Sequence, residues 1–289
     1  MSFSAEEGWS AWPAPAKLNL FLHVIGRRAD GYHLLQTVFH LLDWGDTVHL
    51  RPRADGVIRR ASTLAGVAEH DDLVVRAARR LREHVGQPGL GADIAVDKRI
   101  PLGGGLGGGS SDAATVLVGL DRLWGLGLGN DVLAGLGLAL GADVPVFVRG
   151  RSAFAEGIGE ALTPLELTPT DYLVVDPGVG VPTGELFRAP ELTRDMPPLT
   201  IRGFLSGEPT RNAFEPVVRA RFPAVARVFD WLAPHGEPRL SGSGGAVFMP
   251  VGSEGAGLVA ACPAGMRAWI ARGIDRSPLL TAAAGGSMA

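Results

Sequence analysis

Between Pro101 and Ala114 the chain reads Pro-Leu-Gly-Gly-Gly-Leu-Gly-Gly-Gly-Ser-Ser-Asp-Ala-Ala. A run with so few side chains adds little to a core; it can be a turn, a linker, or a place where backbone approaches another group closely. The flanks narrow the choice. Ile94, Val96 and Ile100 keep a period of two before it, whereas Ala113, Val116, Leu117, Leu120, Leu123 and Trp124 recur at helical spacing after it. Ser110 or Ser111 is the expected N-cap, with Asp112 in the first turn. A strand running through glycine into a helix N-terminus has the build of a phosphate cradle, because backbone N–H groups can converge on an anion that the positive end of the helix dipole also favours.

Other readings of the glycines fit less well. Gly103, Gly105 and Gly108 satisfy G-x-G-x-x-G, but no clear second strand ends in an acidic residue to hold a ribose. No Lys follows the glycines before Ser110, as a Walker A loop needs. A flexible linker does not usually join a strand directly to a capped amphipathic helix.

With 289 residues, 46% of them hydrophobic, the chain can bury a large core and form two modest domains. A net charge of −3 argues against a nucleic-acid partner, and Arg76, Arg79, Arg80 and Arg82 read as the wet face of a helix whose other face carries Val74, Ala77, Leu81 and Val85. Cys262 is the only cysteine, which excludes an internal disulfide and a cysteine-based zinc site. The first residues, Met1 to Glu7, are acidic where a signal peptide would be basic, and no apolar run is long enough to span a bilayer. The expectation is a cytoplasmic protein with no membrane partner.

From Ala16 the pattern alternates, so Lys17 and Asn19 share one face of a strand with Phe21 and His23. On the residues alone, Lys17 is either a solvated edge-strand charge or a site residue. Tyr32 and His33 follow a turn at Asp30-Gly31, where they either cover a core edge or face a ligand. Strands are expected near Val38–Leu42 and Thr47–Arg51, with Trp44-Gly45-Asp46 turning between them, followed by a helix from Asp71 or Asp72 to Val85 closed by Gly86. A further helix, capped by Asn130 or Asp131, ends at Gly141. Asp143 then lies just past a helix C-terminus, which repels anions, so it needs a cation or donors nearby unless it only forms an Asx-turn before Pro145. Beyond Gly150 the spacing predicts strands at Ser152–Ala155, Ala161–Leu167, Tyr172–Val175 and Arg267–Ile274. It also predicts a short helix after Thr183 that holds Phe187, helices at Ala213–Arg221 and Ala224–Leu232, and a second glycine turn within Arg239–Phe248; the tail from Thr281 is expected to fray. Phe187 alone reads as core. Mixed strands and helices with short hairpins indicate an α+β protein.

Four stretches together resemble the GHMP kinases, a superfamily of ATP-dependent small-molecule kinases, and in particular members that act on a cytidyl-bearing alcohol. They are PLGGGLGGGSSDAA, PAKLNLFLHVIGRRADGYHLLQTVF, GADVPVF and the segment from Arg239 to Phe248, spread over nearly the whole chain. The resemblance implies a two-domain fold with its active site in the cleft between domains, residues 1–150 forming the ATP-binding part and 151–289 the C-terminal part. It implies Lys17 and Asp143 as catalytic residues. ATP phosphates would lie against Pro101, Leu102, Gly103, Gly104, Gly105, Leu106, Gly107, Gly108, Gly109, Ser110 and Ser111, and Mg²⁺ is expected with ATP although no ligand to it is assigned. Asn19 would face the substrate, Tyr32 and Phe187 would enclose its cytosine, and His33 would read the ring edge. Two positions depart from the family pattern: Asp72 replaces a common Asn, and Gly245-Ala246 replace side chains usual in the third motif. Oligomeric state is not readable from the residues.

Overall fold

A computed structural model of the chain describes residues 7–64 and 66–285, so the acidic stretch Met1–Glu6 lies outside the described residues. In chain order the first half holds β1 (Ser10–Arg27), β2 (His33–Arg53), β3 (Ile58–Arg60), α1 (Leu73–Val85), β4 (Gly91–Asp97), α2 (Gly108–Leu123), α3 (Asn130–Leu138) and α4 (Val144–Arg149). The second half holds β5 (Ala153–Glu156), β6 (Ala161–Pro164), β7 (Asp171–Asp176), α5 (Thr183–Arg188), α6 (Ile201–Leu205), α7 (Glu215–Arg221), α8 (Pro223–Leu232), β8 (Arg239–Leu240), β9 (Val247–Pro250), α9 (Gly255–Ala260), β10 (Arg267–Ile274) and α10 (Pro278–Ala283). The mixture is the α+β composition expected.

The long antiparallel hairpin of β1 and β2 runs through the whole molecule, with Lys17 opposite Leu41, Asn19 opposite Phe39 and Leu22 opposite Thr37. Two separate strands were expected where β2 is continuous. Trp44-Gly45-Asp46 does not turn, because Gly45 lets the β1 backbone at Ala14 and Pro15 press against it, and a register shift between Pro15 and Lys17 absorbs the bend. Along its other edge β2 pairs in succession with β4, β10 and β5, while β10 carries the sheet on to β7, β9 and β8.

Two apolar cores lie against this sheet. One packs α1, α2, α3 and α4 on β1, β2 and β4, through residues such as Trp12, Leu50, Ile94, Leu81, Leu117 and Phe147. The other gathers Leu22 and Val24 of β1 with β7, β9, α5, α7 and α8, centred on Phe214 and Phe229. Ala16, Leu18, Ile100, Leu106, Ala246 and Phe248 form a smaller cluster between them, directly under the glycine loop. At roughly 25 cal/mol per Å² of apolar surface removed from water, these clusters hold the loop's base in place. The tail after Thr281 does not fray at once: it completes α10, whose Leu279 is buried in the first core, and Ser277 caps that helix by accepting from Leu279 N.

Candidate active site

The glycine loop enters α2 earlier than the serines suggested. Gly107, at φ +77°, occupies the N-cap position, so the helix starts at Gly108 and both Ser110 and Ser111 lie in its first turn. A left-handed residue there turns the chain straight into the helix without a side-chain cap. Ser111 N bonds Gly107 O at 2.8 Å, and among the described residues the N–H groups of Gly108, Gly109 and Ser110 have no protein acceptor. Three free donors at the positive end of a sixteen-residue helix are able to hold an anion. A Cβ on Gly107 would fall 2.7 Å from the Phe147 ring and 3.1 Å from Lys17 Cγ, so this position sits directly on the machinery.

That machinery is a buried lysine. Lys17, 2% exposed, donates from Nζ to Gly105 O at 2.8 Å and to Asn19 Oδ1, and meets Asp143 Oδ2 at 3.3 Å. It is no solvated edge charge: β1 carries it beneath the glycine loop, where Lys17 N also bonds Leu106 O at 3.0 Å. Asn19 is oriented in turn, its Nδ2 donating to Thr37 Oγ1 at 2.9 Å, and Thr37 donates to Phe21 O. With its hydroxyl proton committed to that carbonyl, Thr37 faces Asn19 as an acceptor, which turns the Asn19 oxygen toward Lys17.

Asp143 stands in a different setting from the one its neighbours implied. The apolar run after it is the short helix α4, and Asp143 occupies its N-cap position, where the dipole favours an anion. Its carboxylate makes no cap hydrogen bond but turns to Lys17, with about a third of the side chain open to the cleft.

A second cation flanks the loop. Lys98 Nζ bonds Asp112 Oδ2 at 2.8 Å and also Asp46, and it lies close to Gly108. Burial works against its charge, but Asp112 and Asp46 outweigh that and raise its pKa. Burial pushes the Asp112 carboxyl up to about 7 against the pull of Lys98. Asp112 Oδ1 and Ser111 Oγ are both buried at the base of the cradle without a protein partner.

Across the loop, the second glycine turn packs backbone against backbone. Gly245 N bonds Gly103 O at 3.2 Å and Ala246 N bonds Gly104 O at 3.0 Å. A Cβ on Gly105 would lie 2.1 Å from Ser241 O, and one on Gly244 would lie 2.0 Å from Gly105 N. The departure at Gly245-Ala246 therefore leaves the contact between the turns intact, since main chain makes it. The other departure, Asp72, is occupied elsewhere: it caps α1 at Val74 N and pairs with Arg60 at 2.7 Å.

Lys17, Asn19, Asp143, the loop from Pro101 to Ser110, and Phe187 line one cleft of about 410 Å³. Leu35, Ala142, Ile158 and Phe187 are shared with a second cavity of about 740 Å³, which brings together Tyr32, His33 and Arg194. Tyr32 is 60% exposed, while the His33 and Phe187 rings stand 5.0 Å apart at 33°. Phe187 only partly joins the second core, through an edge contact of 4.9 Å to Phe214. Sequence reasoning missed Thr37, Lys98 and Arg194; the position of Lys98 at the end of the strand feeding the loop was the one available signal.

A glycine cradle on a helix N-terminus, with a buried Lys–carboxylate pair at its mouth and a cavity beside it for an acceptor, defines a small-molecule kinase of the GHMP type. Residues 72–151 match the N-terminal domain of GHMP kinases. The chain is 64% identical to the 4-diphosphocytidyl-2-C-methyl-D-erythritol kinase of Xanthomonas axonopodis pv. citri (strain 306), over 95% of this chain and 94% of the relative, and 57% identical to the enzyme of that name from Halorhodospira halophila, over 94% and 95%. A crystal structure of 4-(cytidine 5'-diphospho)-2C-methyl-D-erythritol kinase is similar at a TM-score of 0.77 and 37% identity, covering 92% of this chain and 100% of that one. The Methanococcus jannaschii mevalonate kinase, at 16% identity and a TM-score of 0.66 over 92% and 98%, shares the fold. The chain belongs to the 4-diphosphocytidyl-2-C-methyl-D-erythritol kinase family.

Proposed function

We propose that this kinase transfers the γ-phosphate of ATP to the 2-hydroxyl of 4-diphosphocytidyl-2-C-methyl-D-erythritol, a step of the non-mevalonate route to isoprenoid precursors. The observation that carries the reading is the Lys17–Asp143 pair at 3.3 Å, set directly beneath the carbonyl of Gly105 in the phosphate loop. Asp143, open to the cleft, accepts or orients the hydroxyl proton as the new O–P bond forms and the bond from the γ-phosphorus to the bridging oxygen breaks, releasing ADP. Lys17 balances charge on that side. The free N–H groups at the start of α2 hold the phosphates, and Lys98 adds a cation at their edge.

Mg²⁺ belongs to this reading as a partner of the triphosphate. No group of three or more His, Cys, Asp or Glu side chains among the described residues forms a metal site. A Mg²⁺ ion that arrives with a triphosphate is held mostly by phosphate oxygens and water, with one or two carboxylates at most. The cytidyl group would occupy the cavity of Tyr32, His33 and Phe187, with Asn19 on the acceptor side. Residues 1–150 would supply most of the nucleotide site and residues 151–289 the Phe187 wall and the second glycine turn.

ADP release by the purified protein tests this directly, with the cytidyl substrate set against mevalonate, homoserine and galactose. Turnover confined to the cytidyl compound is the expected result. Preference for another alcohol, or no ADP release with any of them, overturns the proposal.

A further inference from the structure

Arg194 enters none of the family motifs in the sequence, yet it is tied to both walls of the second cavity. Its Nε donates to His33 Nε2 at 3.2 Å, its Nη1 to Leu192 O at 3.0 Å, and its Nη2 to Phe187 O at 3.0 Å and Ala189 O at 2.7 Å. Three carbonyls around the end of α5 thus clamp the guanidinium, and one edge remains for the imidazole. A guanidinium has donors only. The ring nitrogen it faces must therefore present a lone pair, which places the proton of neutral His33 on Nδ1. Among the described residues Nδ1 has no protein partner. Partial burial and the charges of Arg194 and Arg27 all lower the His33 pKa, in keeping with a neutral ring.

We propose that Arg194 is a positioning residue that holds His33 in the Nδ1–H form, so that its ring offers a fixed donor to the base of the substrate. The inference rests on the reading of this cavity as the cytidyl site. Ring nitrogen N3 accepts a hydrogen bond in cytosine, whereas in uracil it carries a proton and donates. A His33 free to choose its tautomer could meet either ring. Held by Arg194, it meets a cytosine acceptor well and sets donor against donor at uracil N3. Clamping the same guanidinium to Phe187 O also fixes the stacking wall relative to the reading edge, so the two act as one unit.

The first measurement is ¹⁵N NMR of His33 in the ligand-free, full-length protein, which reports the protonated nitrogen without any substrate. Wild type is expected to carry the proton on Nδ1, and Arg194→Met to lose that single tautomer. A wild-type proton on Nε2 overturns the inference, whatever the enzyme phosphorylates. The second is KM and kcat for cytidyl and uridyl forms of the substrate in wild type, Arg194→Met and Arg194→Lys. Freeing the His33 tautomer weakens its ring-edge hydrogen bond without abolishing it, so KM for the cytidyl form should rise by roughly 3–10-fold in Arg194→Met. KM for the uridyl form and both kcat values should move far less, and Lys, which restores a donor, should recover part of the loss. Equal losses for both forms would reduce Arg194 to a structural clamp and sink the proposal. Should Arg194→Met not fold, the wild-type tautomer still decides. A wild-type enzyme that ignores the cytidyl form defeats the functional reading instead, and the tautomer result stands apart from it.

Discussion

Lys17 and Asp143 meet at 3.3 Å, but they are exposed very differently: the lysine side chain is 3% accessible and the aspartate 35%. The pair is thus one-sided, with its cation walled in by Gly105 and Asn19 and its anion open to the cleft. That asymmetry is the reason the proposed mechanism gives the proton to Asp143 rather than to Lys17.

Removing that carboxylate should therefore affect turnover and spare nucleotide binding. Asp143→Asn is expected to lower kcat by about 10²–10⁴, the range for a positioned general base, with ATP affinity nearly unchanged. Lys17→Met should resemble it, with added instability from leaving Asn19 without its partner. Steady-state kinetics beside nucleotide titration check this, and near-wild-type kcat in folded Asp143→Asn would refute the role.

Gly107→Ala is the mildest test of the cradle. The left-handed backbone costs about 1–3 kcal/mol for a residue with a Cβ, and the 2.7 Å approach to Phe147 adds to it. ATP affinity should fall severalfold or more, since the free N–H groups begin at the next residue. Titration with a non-hydrolysable nucleotide that finds no change would place the phosphates elsewhere.

Asp112 makes stability depend on pH in an unusual direction. Its folded pKa of about 7 lies above the ordinary value of 3.8, because burial outweighs Lys98. The folded state thus holds a proton that the unfolded chain has released, and this contribution is complete below about pH 4 and lost as pH rises to about 7. The slope is at most about 1.4 kcal/mol per pH unit. Relative to wild type, Asp112→Asn should gain stability across that window and level off above it. Urea midpoints at several pH values read the difference, and parallel curves for the two proteins would contradict the shift.

Phe187 is only partly built into its core, so shortening it should cost binding more than folding. Phe187→Ala is expected to weaken cytidyl and uridyl substrates alike, by about 1–3 kcal/mol, because stacking tolerates any base. A loss confined to one base would show that Phe187 contributes to reading the edge.

Periodicity located the strand and the loop, whereas the roles of Tyr32, His33, Phe187 and Asp143 came only from the family resemblance. Alternation in β1 put Lys17 and Asn19 on one face, and glycine between a strand and an apolar helix located the loop. Asp143 was singled out as a carboxylate following a helix and in need of a cation, and α3 does end at Leu138 with Lys17 supplying that cation; what was missed is that a new helix starts at the next residue. Pro145 in the first turn and left-handed Gly150 at the end frame α4 as a helix of its own. Six residues, nearly all buried, carry no helical period to reveal it. Arg194 lay in an irregular stretch after α5 with no pattern around it, and only folding brings it to His33, 161 residues earlier. Thr37 was likewise invisible, since its partner depends on the register of β1 against β2.

The contact of the two glycine turns has a mechanical corollary. At Gly105 and Gly244 the halves of the cleft are separated only by main chain, so no change of rotamer there can widen it. Movement at that rim would require breaking the bonds from Gly245 and Ala246 to the loop, which would distort the cradle itself. The same turn also carries a side-chain tie, an exposed hydrogen bond of 2.8 Å between the hydroxyls of Thr183 and Ser243, whereas Tyr32 at the second cavity is 60% exposed. Main chain thus sets the width of the cleft between the two glycine turns, whereas at Tyr32 a side chain alone can rearrange.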